Sequence, residues 1–196
     1  MSLRRRQLSL PPRVPVLIVC EGVLETSYFS AIQRHPNIKK RFNVTVQCVH
    51  GGGHIKVVEE TRKRASGSTL VWCIFDVEDN PDCPQLRESL QRCQKNKIKV
   101  GLSNPCFNVW AIAHLNNVMA GAQTPDSSLR KLKSLVGGEL DVHNRDWVLN
   151  KIMGGNDFSH LDSAFGNITC CKIPDEVVRK NPSTSVGELV QFLTEI

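Results

Sequence analysis

The chain has few Trp and Tyr and no long apolar run. It has one Tyr and three Trp in 196 residues, which limits the aromatic platforms on which single-stranded nucleic acid is commonly held. Of its eight Cys, none are spaced as Cys-x-x-Cys, and Cys170 and Cys171 are adjacent, so neither a zinc site nor a disulfide framework is expected. Cys20, Cys48 and Cys73 lie inside apolar runs, as expected of free thiols packed as small hydrophobes in a reducing cytoplasm. The run Val16-Leu17-Ile18-Val19 is too short for a signal sequence or a membrane span, so neither export nor a membrane anchor is expected. There is no Gly-x-x-x-x-Gly-Lys-Ser/Thr phosphate loop, and no internal repeat, zinc finger, helix-turn-helix signature or paired stacking aromatics of an RNA-recognition motif.

What is present is enough apolar content, 40%, to bury one core, and a net charge of +6 that favours an anionic partner. Basic runs at Arg4-Arg5-Arg6, Lys39-Lys40-Arg41 and Arg62-Lys63-Arg64 concentrate that charge locally. Residues 1–13 read as a disordered basic arm, and residues 14–196 as a single domain.

Within that domain, apolar runs alternate with amphipathic stretches. Strands are expected over residues 14–20, 42–49, 69–75 and 98–102, the first and third being continuously apolar as strands buried on both faces are. Thr26 is expected to cap a helix ending near His35-Pro36. Gly51-Gly52-Gly53 precedes a second helix over residues 55–65, and Pro84 opens a third. The resulting βαβαβαβ order predicts an α/β fold: a Rossmannoid, mostly parallel sheet over residues 14–103 with helices on both faces. Residues 104–196 read as a helical C-terminal extension, with helices around Trp110, Leu132, Trp147 and Leu189.

Carboxylates follow two of these strands. Glu21 closes the first, and Asp76 and Glu78 close the third; i and i+2 of an extended segment share a side, so the three are expected to converge. Hard oxygen donors in that position suit Mg²⁺, with Mn²⁺ as an alternative, and phosphoryl chemistry. Other candidates have two readings each. His114 is either an acid, base or phosphate contact, or a satisfied core histidine. Asn104 is either a phosphate ligand or a helix cap. Gly51-Gly52-Gly53 with His54 and Lys56 is either a phosphate cradle or a plain turn. Glu25 and Asp79 are candidates for a second metal site.

Four ordered motifs carry a resemblance to a known family. Cys20-Glu21-Gly22 followed by Glu25-Thr26 and Tyr28-Phe29, the strand ending Trp72-Cys73-Ile74-Phe75-Asp76, the block Ser103-Asn104-Pro105-Cys106-Phe107 with Trp110 and His114, and Asn181-Pro182-Ser183-Thr184 together resemble the RloB-like family. That resemblance implies a Toprim-like core in which a strand-end Glu and an acidic pair hold divalent metal, at positions matched by Glu21, Asp76 and Glu78. It further implies a metal-dependent nuclease acting on DNA or RNA in prokaryotic defence against phage, working with a separate ATPase. Three departures stand out: Glu25-Thr26 reverses the family's Thr-Glu order, Asp76-Val77-Glu78 replaces Asp-Arg-Asp, and Asn108 stands where the family tends to have Glu. A noncatalytic nucleic-acid-binding or ATPase-partner subunit is the alternative expectation. Oligomeric state and the choice between DNA, tRNA and other RNA are not readable from the residues.

Overall fold

The computed structural model describes residues 12–67, 70–115 and 119–194. Most of the expected basic arm therefore lies outside the described residues. Arg13, just ahead of the first strand, donates from Nη1 to the Lys39 carbonyl at 3.4 Å.

The chain begins with β1 (Val14–Cys20), α1 (Val23–Ile32), α2 (Pro36–Arg41), β2 (Phe42–Cys48), α3 (Gly53–Arg64) and β3 (Leu70–Asp76). It continues through α4 (Pro84–Lys95), β4 (Lys99–Asn104), α5 (Asn108–His114), α6 (Pro125–Val136) and α7 (Arg145–Lys151). It ends with α8 (Leu161–Asn167), α9 (Pro174–Arg179), β5 (Ser183–Thr184) and α10 (Val186–Thr194). The sheet has the order β2-β1-β3-β4-β5, with the first four strands parallel and β5 antiparallel to β4. The protein is thus the mostly parallel α/β sheet expected from the alternation.

Period-two alternation places successive residues of β1 and β3 on opposite faces. Val16, Ile18, Cys20, Trp72 and Ile74 join Tyr28, Phe29, Trp110 and Leu189 in one core, which also takes residues from α5, α6, α7 and α8. Leu17, Val19, Cys73 and Phe75 join Val57, Val58, Leu86 and Val177 in the other, under α3, α4 and α9. Each such large side chain, withdrawn from water, contributes about 1.5–3 kcal/mol, so both cores hold the central strands in place.

The strand order positions the site. From β1 the chain crosses to β2 over one face through α1, then returns past β1 to β3 over the other face through α3. The two crossovers diverge at the carboxyl ends of β1 and β3, and open α/β sheets bind ligands in the crevice left at such a switch point.

Several local expectations are corrected. Thr26 does not cap α1; the helix starts one turn earlier at Gly22, and the Thr26 hydroxyl donates back to the Gly22 carbonyl at 2.7 Å. Helix α1 does end near His35-Pro36, at Ile32; His35 is extended (φ −58°, ψ 131°), and Pro36 occupies the first turn of α2, where its missing N–H costs no hydrogen bond. Strand β4 runs on to Asn104, and the described segment beyond it contains, besides its helices, the two-residue β5. Two later helices are capped by side chains: Thr124 forms a capping box with Ser127, and the Asn144 side chain accepts from the N–H groups of Asp146 and Trp147. The described cysteines are all free; Cys20 and Cys73 are buried and Cys48 is half-buried. Among the described residues no helix is long and apolar enough to cross a membrane.

Candidate active site at the carboxyl edge of the sheet

Glu21 follows β1 directly, and its backbone N–H donates to the Ile74 carbonyl at 3.0 Å, which ties the end of β1 to β3. Its Oε2 atom is buried and has no hydrogen-bond partner. Gly22 then opens α1 and puts Glu25 in the first turn, where the carboxyl folds back over the glycine. A Cβ on Gly22 would overlap Glu25 Oε2 and stand 2.9 Å from Oε1, so the notch accommodates a carboxylate because residue 22 has no side chain. Glu25 is only 5% exposed.

Asp76 is the last residue of β3, and its Oδ1 is likewise buried and unpartnered. The His54 ring, buried at the start of α3, donates from Nε2 to the Asp76 backbone carbonyl at 2.8 Å and packs on Phe75. His54 therefore fixes the strand end that carries Asp76. Glu78 does not follow the expected geometry. The strand stops at Asp76, and Glu78 has φ +61°, a left-handed conformation, with its N–H bonded to the Pro105 carbonyl at 2.7 Å. The alternation that was to put Glu78 beside Asp76 thus ends before reaching it, and Glu78 stands exposed at the rim.

The electrostatics follow first from burial. Desolvation holds the Asp76 carboxyl well above its ordinary range, reinforced first by the charge of Glu25 and then by those of Glu21 and Glu78, while the Phe107 backbone amide favours the ionised form. Burial likewise raises Glu21, with the nearby charge of His54 and the Asp76 backbone amide acting against it. Glu25 is pushed to about 7 by burial and by Glu21. Carboxylates desolvated beside one another are costly unless a cation joins them. Among the described residues, however, no group of three or more His, Cys, Asp or Glu side chains is arranged to hold a metal ion by itself.

The remaining candidates are distributed as follows. Lys56 is exposed and lies against Gly52, with Nζ 3.0 Å from where a Cβ would stand; Gly51, Gly52 and Gly53 all have positive φ, so that turn demands glycine. Asp79 and Asn108 line an open depression of about 530 Å³ together with Asp76, Glu78 and Asp126. His114 is in the core, with Nδ1 donating to the Trp110 carbonyl at 2.9 Å and Nε2 accepting from the Tyr28 hydroxyl at 3.2 Å. Burial lowers its pKa to about 4, so both ring nitrogens are committed in the interior. Asn104 is buried and donates both amide hydrogens to α9, to the carbonyls of Val177 at 2.9 Å and Val178 at 3.1 Å. It caps the C-terminal carbonyls of a helix far along the chain, so of its two readings the structure shows the helix cap.

Sequence reasoning underrated Glu25 and the Gly22 notch. The signal was available, since a helix starting at Gly22 places Glu21 and Glu25 four residues apart across its first turn.

A parallel sheet with helices on both faces and acids gathered at its switch point defines an α/β protein of Rossmann-like type, consistent with a Toprim-like arrangement. More narrowly, the family model described as RloB-like protein matches residues 16–193, nearly the whole chain, and the chain belongs to that family. No curated protein and no solved structure matches the chain.

Proposed function

We propose that the protein is a metal-dependent nuclease that hydrolyses phosphodiester bonds in DNA or RNA, using the carboxylates at the ends of β1 and β3. The observation that carries this reading is the pair of buried, unpartnered oxygens, Glu21 Oε2 and Asp76 Oδ1, on adjacent strand ends. Unmade polar interactions of this kind cost about 1–3 kcal/mol each, a cost that a bound cation offsets.

The donor set fits Mg²⁺ or Mn²⁺ in one specific way. All donors are hard oxygens, and Mg²⁺ commonly takes one or two carboxylates and completes its shell with water and substrate phosphate. A site in which fewer than three side chains converge is compatible with that habit. Glu21 and Asp76 are the residues that would hold the ion, which when bound supplies Lewis acidity and lowers the pKa of coordinated water. His54 keeps the Asp76 backbone in position through its carbonyl. Glu25, close to half-ionised near neutral pH, can adjust the charge beside them. Lys56, at the turn before α3, offers a cation to substrate phosphate, aided by the positive end of that helix.

The chain's membership of the RloB-like family is compatible with a wider setting that we also propose: work alongside a separate ATPase, in defence against phage, in the cytoplasm of a prokaryote. A second reading, a noncatalytic nucleic-acid-binding or ATPase-partner subunit, is favoured by the exposed left-handed Glu78 and by Asn108 at the rim. The two are separated by incubating the protein with labelled DNA and total tRNA in Mg²⁺, Mn²⁺ or EDTA, with and without its ATPase. Metal-dependent cleavage that disappears in Glu21→Gln and Asp76→Asn supports the nuclease; binding without cleavage in every condition supports the second reading.

A further inference from the structure

Topology sorts the charges of this chain by position along the strands. In a parallel sheet every crossover helix starts at the carboxyl edge and ends at the amino edge. Helices α2, α3 and α4 end in Lys39-Lys40-Arg41, in Arg62-Lys63-Arg64, and in Arg92 and Lys95. Arg13 precedes β1, Lys97 precedes β4, and Lys99 opens it. The strand register aligns these ends, with Val14 beside Phe42 and Val16 beside Leu70. Basic segments separated in sequence are therefore brought to one edge, the edge opposite the carboxylates.

The acids present there are already engaged. Glu60 pairs with Lys63 and Arg64, Glu59 and Glu88 with Arg92, and Glu188 with Lys99. Asp157 and Asp162 line a neighbouring cavity with Arg41. Arg13, Lys39, Lys40, Arg62, Lys95 and Lys97 make no ion pair among the described residues, and all are exposed. A cleft of about 550 Å³ joins the ends of α3 and α4, lined by Arg62, Lys63, Asn96 and Ile98 among others.

We infer that the amino edge of the sheet is the surface that holds the sugar-phosphate backbone of a nucleic acid, separately from the carboxylate site. This deepens the nucleic-acid reading proposed above and rests on it. Exposed cations spread along an edge without aromatic platforms suit a regularly spaced polyanion and a sequence-independent grip. Seven-residue strands separate the two edges by about 23 Å at ~3.3 Å per residue. A duplex that touches both edges must therefore span about seven base pairs at ~3.4 Å each. The amino edge anchors, and the carboxyl edge meets a more distant part of the same molecule.

The test uses the full chain in EDTA, so that binding is read without cleavage. Anisotropy of a labelled DNA duplex of about 20 base pairs and of labelled tRNA is followed across a salt series for wild type, Lys39→Glu/Lys40→Glu, Arg62→Glu/Lys97→Glu, and Lys131→Glu on the exposed face of α6 as control. Thermal melts check that each variant folds. The expected result is binding at least ~10-fold weaker in both double variants, with the slope of log K against log salt flattened by about 2, and little change for Lys131→Glu. That result supports the inference whether or not the protein cleaves. Equal binding by all four proteins overturns it, and Mg²⁺-dependent cleavage by the same preparations would leave the nuclease reading standing. Binding of polyglutamate as tight as that of the duplex also overturns it, in favour of an acidic protein partner.

Discussion

At the carboxyl ends of β1 and β3 the chain gathers acids and withdraws Glu25 wholly, and Glu21 and Asp76 partly, from water, whereas at the amino ends of the same strands it gathers Lys and Arg and leaves them in water. The overall charge of +6 conceals this separation. The two edges also differ in what their charges cost the fold. An exposed Lys is solvated and nearly neutral to stability, so the basic edge persists without a ligand. A desolvated carboxylate beside another is unfavourable, so the acidic edge is a costly arrangement that the proposed cation would relieve. The lesson is that burial, more than the number of charges, marks where chemistry is to be sought.

The largest effect expected is at the acidic edge. Glu21→Gln and Asp76→Asn should each lower metal-dependent cleavage by at least ~100-fold, the upper range for residues that only support a metal ligand, while leaving nucleic-acid binding in EDTA within about twofold. Gel-resolved cleavage rates and anisotropy check the two halves of this statement.

Next in size is a pH effect on stability. Glu25 titrates near 7 in the folded chain against an ordinary value of 4.5, so between those pH values the folded state keeps a proton that the unfolded chain has released. Stability arising from this group is complete below the lower value and falls as pH rises through the higher one. Glu25→Gln should therefore stabilise the metal-free protein by on the order of 2 kcal/mol at pH 8 and hardly at all at pH 4. Urea unfolding at both pH values tests the sign.

A smaller loss is expected for His54→Ala, which leaves the buried Asp76 carbonyl without its donor and should cost about 1–2 kcal/mol. If His54 is a positioning residue, the concentration of Mg²⁺ needed for half-maximal cleavage should also rise, a change that loss of stability alone does not produce. The smallest effect belongs to the basic edge: Lys39→Glu/Lys40→Glu should shift unfolding stability by no more than ~0.5 kcal/mol, as urea titration would show.

The contrast between the edges was only half legible in the sequence. The four parallel strands could be read because their apolar runs are long and bounded, and Glu21 and Asp76 because they immediately follow such runs. The short elements could not. Helices α2, α8 and α9 span six or seven residues, too few for a period of 3.6 to show, and β5 has two residues whose pairing partner lies some 80 positions earlier. Glu25 was undervalued because its proximity to the site depends on the missing side chain of Gly22, a fact about space rather than pattern. The expected route of Glu78 to the site was misjudged because alternation was carried past the point where the strand ends and the backbone turns left-handed, although its charge still acts on Glu21 and Asp76. Asn104 and His114 had two readings each, and which groups they bond is decided by elements that meet them only in the folded chain, α9 for the first and α1 for the second. The segregation of Lys and Arg to one edge was visible only as three separate runs until strand order and direction were known.

The most direct test of the acidic edge is a titration of metal-free protein with Mn²⁺ at pH 8, followed by the fraction of ion that remains unbound, for wild type, Glu21→Gln, Asp76→Asn and Glu78→Gln. The account predicts saturable binding that is abolished by the first two substitutions and only weakened by the third, since Glu21 and Asp76 carry the buried unpartnered oxygens and Glu78 stands at the rim. Binding undiminished in both Glu21→Gln and Asp76→Asn would contradict it.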